Sequence, residues 1–305
     1  MDRHSINWRG YMPAITTPFD KSGDLDLVAL RGLIDWLIEQ GMHGLVVAGT
    51  TGEWYSLSRQ EKRDLFKTVS EQAGGKIPII AGCNAFTAKG AIEIAEAATD
   101  CRFDGILLTP PPYVVPSDRE IITFYQAVAK ECALPICVYN WPPGTNVDMS
   151  LEVIRQLSDI DKVVALKVST TDVGGFCELF FELKEKIRIF FFASTKLGVS
   201  LVQHSGLDGT MGAAGVLGRD HPDMFNAIWA GDYKRAEVLA ERDMRMMKEL
   251  FKPDLTSRFG SAPAVFKEAL RMQGVSAGYP RPPILPLTSD ESEMVRTVLQ
   301  DLALI

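Results

Sequence analysis

"KVVALKVSTTDVGGFCELFFELKE", residues 162–185, holds one copy of the unit that decides the fold. Its first six residues, 162–167, are a short β-branched run of the length and composition of a buried strand. A polar turn follows, and residues 172–185 then spread their apolar positions at helical spacing. Working outward, the same strand-like signal recurs at 12–17 "MPAITT", 43–48 "HGLVVA", 77–82 "IPIIAG", 104–109 "DGILLT", 135–139 "PICVY", 188–193 "RIFFFA" and 207–212 "LDGTMG". Helical candidates lie between them at 27–40, 59–73, 87–100, 118–132, 149–158 and 197–204, with one more at 220–230. Ser58 with Glu61 and Ser117 with Glu120 have capping-box spacing, and Asp148 or Ser150 is placed to cap the helix after the fifth strand.

Eight strand–helix units within residues 1–230 predict an α/β fold, a (β/α)8 TIM barrel. The rival, a doubly wound sheet, would carry a glycine-rich first turn, and "TTPFDKSGD" at 16–24 has no GxGxxG. Beyond the barrel the strand signals stop. Residues 231–305 read as a C-terminal helical extension, with helices at 233–251, 262–273 and 290–304 and the proline-rich "YPRPPILPL" at 279–287 between the last two.

The bulk numbers narrow the function classes. Of 305 residues, 46% are hydrophobic and 23% charged, with a formal net charge of −7, as in ordinary globular enzymes. No basic tract exceeds a few residues, so no nucleic-acid partner is expected. No stretch approaches the ~20 apolar residues of a membrane span, and residues 1–20 lack a signal-peptide pattern. The five cysteines (Cys83, Cys101, Cys132, Cys137, Cys177) form no CxxC pair, which fits a reduced, cytoplasmic setting. The histidines His4, His43, His204 and His221 are scattered without HxH or HExxH, so no metal is expected, and no cofactor is called for. A GxSxG nucleophile elbow is also absent.

Barrels of this kind place their active sites at the C-terminal ends of the strands. Reading off those ends collects "AGTTGEW", "TPPPY", "VYNWPPG", "ALKVS" and "GTMGAAG". Lys167 closes an apolar strand. It either snorkels to solvent or is a desolvated amine able to condense with a ketone, whose protonated imine then serves as an electron sink. Tyr139 closes the neighbouring strand, as packing or as a proton shuttle to that amine. Thr50 and Thr51, between Gly49 and Gly52, are turn residues or a carboxylate cradle of amides and hydroxyls.

Taken together, "GTTGE" at 49–53, "LLTPPPY" at 107–113, "VYNWPP" at 138–143, "ALKVS" at 165–169 and "DGTMGAAG" at 208–215 resemble the dihydrodipicolinate synthase / N-acetylneuraminate lyase family, in order and spacing over roughly the whole chain. The resemblance implies a class I, Schiff-base lyase acting on pyruvate or another 2-oxo acid. It makes Lys167 the imine-forming lysine, Tyr139 the proton shuttle, and Thr50 and Thr51 the relay and carboxylate residues. Gly49 would bind substrate beside those threonines, and Met211, with the Gly209 and Gly212 backbone, would line the pyruvyl end. Tyr113 would match the tyrosine that reaches into a neighbouring subunit, which implies a homo-oligomer, a tetramer built as a dimer of dimers.

The departures lie in the second-substrate region. Dihydrodipicolinate synthases carry an arginine a few residues beyond the "YN" of strand five that grips the carboxylate of aspartate semialdehyde, and alignment on Tyr139 and Asn140 puts Gly144 there. Pro112 stands at the first tyrosine of the usual "PPYY", and Trp54, Tyr55 and Trp141 add bulk near the mouth. The leading expectation is therefore an aldolase or dehydratase of 2-keto-3-deoxy sugar acids or 4-hydroxy-2-oxo acids. The first alternative is a 4-hydroxy-tetrahydrodipicolinate (dihydrodipicolinate) synthase with an unusual carboxylate anchor. Less favoured are an N-acetylneuraminate lyase, a catalytically silent keto-acid sensor, and a phosphate-sugar barrel, for which "GTMGAAGVLG" at 209–218 is a weak phosphate loop.

Overall fold

The alternation seen in the sequence closes on itself in space. The computed structural model describes residues 1–305, Ala213 left aside. Its strands are β1 (Gly10–Tyr11), β2 (Leu45–Val47), β3 (Ile79–Gly82), β4 (Gly105–Leu108), β5 (Ile136–Asn140), β6 (Val163–Val168), β7 (Arg188–Phe190) and β8 (Gly209–Thr210). All pairings are parallel, in the order β1-β8-β7-β6-β5-β4-β3-β2. A parallel bridge between Ala14 and Val46 joins the two ends, so the eight strands form a (β/α)8 barrel. The first strand is shorter than expected and lies just before the expected 12–17, which holds only the Ala14–Val46 bridge. Pro13 has no N–H to donate, and the ladder resumes only where Val46 N donates to the Pro13 carbonyl and Ile15 N to Val46 O, both at 2.9 Å.

Around the barrel run α1 (Leu27–Glu39), α2 (Arg59–Ala73), α3 (Ala88–Asp100), α4 (Asp118–Glu131), α5 (Pro142–Thr145), α6 (Leu151–Ser158), α7 (Val173–Leu183), α8 (Lys196–Ser205) and α9 (Asp220–Trp229). The helices α10 (Tyr233–Leu250), α11 (Ala262–Met272) and α12 (Ser289–Asp301) follow. Both expected capping boxes form, Ser58 with Glu61 and Ser117 with Glu120. At α6 it is Ser150 that caps, accepting from Val153 N, while Asp148 accepts from the Asn140 amide at 2.9 Å. The one-turn helix α5 lies outside the expected helices, in the segment between strand five and 149–158. Pro142 at its first position suits the start of a helix, where the missing N–H has no partner to lose.

Side chains alternate across each strand, and the two faces build two separate cores. Outward residues such as Leu45, Val47, Ile106, Leu108, Ile136 and Val138 pack beneath the helices. Inward residues Val46, Ile80, Leu107, Cys137, Ala165 and Phe190 fill the barrel together with Trp8, Met12 and Met211. Trp8 fits because β4 begins with glycine: a Cβ on Gly105 would stand 2.4 Å from the indole ring.

Candidate active site

Lys167 and Tyr139 extend the inward-facing rows. Each lies two residues beyond an interior position, Ala165 and Cys137, and the two are direct partners in the β5–β6 register. Both are buried, Lys167 at 7% and Tyr139 at 4% exposure, at the C-terminal ends of their strands. The Lys167 ammonium stands over the Tyr139 ring, Nζ 3.9 Å from the centroid, in cation–π contact. No carboxylate pairs with Lys167 among the described residues. Beside the pair, burial pushes the Cys137 thiol up to about 12 against the pull of Lys167, so the one thiol at the site is not a thiolate nucleophile near neutral pH.

The β5–α5 turn continues the aromatic stack. The Trp141 ring lies 6.1 Å from that of Tyr139 at an interplanar angle of 19°. The Trp141 carbonyl accepts from Gly144 N and Thr145 N at 3.1 Å and from Thr145 Oγ1 at 3.0 Å, winding α5 tightly beneath it. Asn140, which the sequence reading passed over, pins the turn from the other side. Its amide donates to Asp148, and its oxygen accepts from Met149 N at 3.2 Å. Gly144 sits against the indole. A Cβ there would stand 2.4 Å from both Cδ1 and Nε1 of Trp141.

The Thr50–Thr51 turn follows β2. Ala48 and Glu53 adopt left-handed backbone conformations at either side of it, both with φ 53°, a cost that persists only where surroundings enforce it. Glu53 N donates to Thr50 O at 3.1 Å, and Thr17 Oγ1 donates to Gly52 O at 2.7 Å. Gly49 is buried, and the two threonines are half-buried.

What holds this turn was missed from sequence. Glu53, fully buried, forms an ion pair with Lys267 of α11 and accepts from Arg281 N at 3.1 Å. Lys267 Nζ also donates to the Tyr279 carbonyl at 2.8 Å, and burial draws its pKa down to about 8 against the opposing effect of Glu53. The GTTGE turn is thereby bolted to the C-terminal helices.

Two strands round the barrel from both β2 and β6, Met211 is buried in the barrel interior immediately after β8. Gly209 lies within the sheet, between Gly10 and Phe190, and its carbonyl accepts from Phe191 N at 3.0 Å. The Gly212 carbonyl accepts from the buried Tyr11 hydroxyl at 2.7 Å. Tyr113 stands apart, 91% exposed after the Pro110–Pro112 run, with no hydrogen bond to the Lys167–Tyr139 pair among the described residues. Among the same residues, no group of three or more His, Cys, Asp and Glu side chains is arranged to hold a metal ion.

A parallel barrel that presents a buried lysine and tyrosine side by side at its strand ends defines an enzyme of the class I aldolase, lyase type. Comparison with known proteins gives the family. The profile of the dihydrodipicolinate synthetase family matches residues 7–302, and the chain belongs to that family. It is 31% identical over 298 residues to the 4-hydroxy-tetrahydrodipicolinate synthase of Bacillus subtilis, covering 97% of this chain and all of that one. Among solved structures, a dihydrodipicolinate synthase from Bacillus anthracis superposes with a TM-score of 0.87 at 29% identity, covering 97% of this chain and 98% of that one. The enzyme from Acinetobacter baumannii, described as chloride-inhibited and complexed with pyruvate, gives 0.86 at 30% identity, covering 98% and 100%. The N-acetylneuraminate lyase of Mycoplasma synoviae shares the fold, with a TM-score of 0.82 at 23% identity over 97% and 98%. Among the described residues, no helix is long and apolar enough to cross a membrane.

Proposed function

We propose that the protein forms a Schiff base between Lys167 and pyruvate or a related 2-oxo acid, and makes or breaks the bond next to the imine carbon. The observation that carries this reading is the buried Lys167 amine, without a carboxylate partner among the described residues and seated on the Tyr139 ring at 3.9 Å. In this scheme the amine attacks the keto carbon and water leaves. The imine, once protonated, withdraws electrons from the neighbouring bond. Tyr139 carries protons during carbinolamine collapse, with Thr50 in its relay and Tyr113 of a second copy completing it. Thr51 and Gly49 hold the substrate carboxylate, and Met211, with the Gly209 and Gly212 backbone, lines the pyruvyl end. The pyruvate complex described for the Acinetobacter baumannii relative supports the first reactant.

The second reactant has two readings. The names of the relatives favour condensation of pyruvate with aspartate semialdehyde more directly than a keto-deoxy acid lyase. Gly144 favours the latter. An arginine fork supplies charge-assisted hydrogen bonds worth roughly 1.5–3 kcal/mol each, and glycine supplies none from a side chain. At ~1.4 kcal/mol per decade, that absence costs aspartate semialdehyde at least about tenfold in binding. We propose that residues 1–230 carry the site, that residues 231–305 brace it, and that the enzyme works in the cytoplasm as a homo-oligomer, to which the exposed Tyr113 contributes.

The test is borohydride trapping with pyruvate, followed by a side-by-side kcat/KM comparison. The adduct is expected on Lys167, and 2-keto-3-deoxy acids are expected to outpace aspartate semialdehyde. An adduct on another lysine, or none, overturns the mechanism. Equal turnover of aspartate semialdehyde gives first place to the synthase reading.

A further inference from the structure

The amine, the phenol ring and the indole form one continuous stack: Lys167 Nζ at 3.9 Å from the Tyr139 centroid, and Tyr139 at 6.1 Å from Trp141. Trp141 is half-buried and packs against the barrel interior. Its position and that of Gly144 are one feature. With a Cβ at 144 only 2.4 Å from Cδ1 and Nε1 of the indole, no side chain fits at 144 while Trp141 holds its place. The backbone that carries the indole is held in place. Three hydrogen bonds converge on the Trp141 carbonyl, and Asn140 is fixed on its far side by Asp148 and Met149. Where a cation would grip a charged partner, this turn presents an aromatic ring stacked on Tyr139.

An aromatic face carries the negative side of the ring quadrupole. It attracts C–H bonds and other ring edges and gives nothing to a carboxylate. We infer that Trp141, with Gly144 as the space it needs, is the specificity device for the second reactant, and that this reactant is an uncharged aldehyde with an apolar or C–H-lined face that stacks on the indole. The inference rests on the Lys167 imine proposed above. In the bond-forming direction, C3 of the pyruvate enamine attacks the aldehyde carbon and the aldehyde oxygen takes up a proton. Water then hydrolyses the imine, releasing a 4-hydroxy-2-oxo acid and the free Lys167 amine.

The test pairs pyruvate with benzaldehyde, glyceraldehyde or aspartate semialdehyde in the wild type and in Trp141→Phe, Trp141→Leu and Trp141→Ala/Gly144→Arg. The wild type is expected to favour the two neutral aldehydes by about tenfold or more. Phe, which keeps a ring, is expected to stay within about threefold of wild type. Leu, of similar bulk without a ring, is expected to lose about tenfold, seen in the KM of the aldehyde rather than that of pyruvate. The double variant is expected to shift preference toward aspartate semialdehyde. If Leu matches Phe, or the wild type prefers aspartate semialdehyde, Trp141 is not the specificity device. Borohydride trapping with pyruvate on the wild type separates the two failures. An adduct on Lys167 with a failed aldehyde series overturns this inference alone, and no adduct overturns the imine reading and this inference with it.

Discussion

Two of the buried lysines, Lys267 in the C-terminal helices and Lys167 in the barrel, have surroundings that could hardly differ more. Lys267 is 1% exposed, ion-paired to Glu53, bonded to the Tyr279 carbonyl and 4.6 Å above the Phe19 ring. Lys167 is 7% exposed and rests on one aromatic face with no acidic partner among the described residues. A buried charge that has lost its water is normally compensated by pairing. Lys267 follows that rule and ties the GTTGE turn to α11. Lys167 departs from it, and uncompensated groups at strand ends of a barrel are where chemistry is expected. Burial alone does not distinguish the two. Lys62, 9% exposed over the Trp54 ring at 5.6 Å, is a third buried lysine, but it belongs to α2 outside the barrel interior.

The comparison breaks first on exchanging each lysine for methionine, of similar length and no charge. Lys167→Met is expected to abolish turnover and the pyruvate adduct while leaving the thermal midpoint unchanged or raised, because an unpaired buried ammonium is replaced by apolar packing. Lys267→Met is expected to do the reverse. It strands the Glu53 carboxylate in the core, at about 3–5 kcal/mol of stability for a broken buried pair. The double variant Glu53→Gln/Lys267→Met, with no charge left to strand, is expected to recover much of that loss. Thermal melts and adduct mass spectrometry on the same preparations check both. A Lys167→Met protein that retains turnover ends the distinction.

Tyr139→Phe sharpens the Lys167 side. A phenylalanine ring keeps both the platform under Lys167 and the stack against Trp141, and removes only the hydroxyl. If that hydroxyl moves protons, kcat falls by roughly 100- to 10,000-fold with normal folding. Near-normal turnover would reduce Tyr139 to the ring that carries the amine.

The two lysines also differ in how they are read from sequence. Lys167 was legible because it closes a β-branched strand whose neighbours, Tyr139 among them, carry polar residues at the same end. Lys267 sits on a helix, where a lysine amid Ala264, Val265, Phe266, Ala269 and Leu270 reads as solvent-facing, and its partner is 214 residues away. Nothing local announces such a pair. Trp141 and Gly144 were each noticed, but their contact needs the unforeseen turn of α5 between them. The alternation of strands and helices was readable, and the interruption of the first strand was not. The period is a local signal, whereas the cost of Pro13 appears only when a second strand seeks its missing N–H.

The smallest expected effect concerns the edge of the Lys267 network. Arg281 reaches from the same C-terminal segment to Glu61, the capping-box residue of α2, and holds its carboxyl down to about 2 from the ordinary 4.5. In the native state Glu61 therefore stays ionised where the unfolded chain already takes up a proton. Its contribution is complete above pH 4.5 and is lost as the pH falls from there towards about 2. Glu61 is partly exposed, so solvent and salt screen the interaction and the effect is modest. Glu61→Gln keeps the cap geometry and removes the titration. Its acid unfolding curve is expected to be flatter than wild type in that window, with a slightly lower thermal midpoint at neutral pH. Lys167→Met should leave the wild-type slope intact, since the unpaired lysine has no acid partner to protonate. Equal slopes for wild type and Glu61→Gln would mean that Arg281 braces the turn through its bonds to the Gly23 and Ser56 carbonyls alone, each at 2.7 Å.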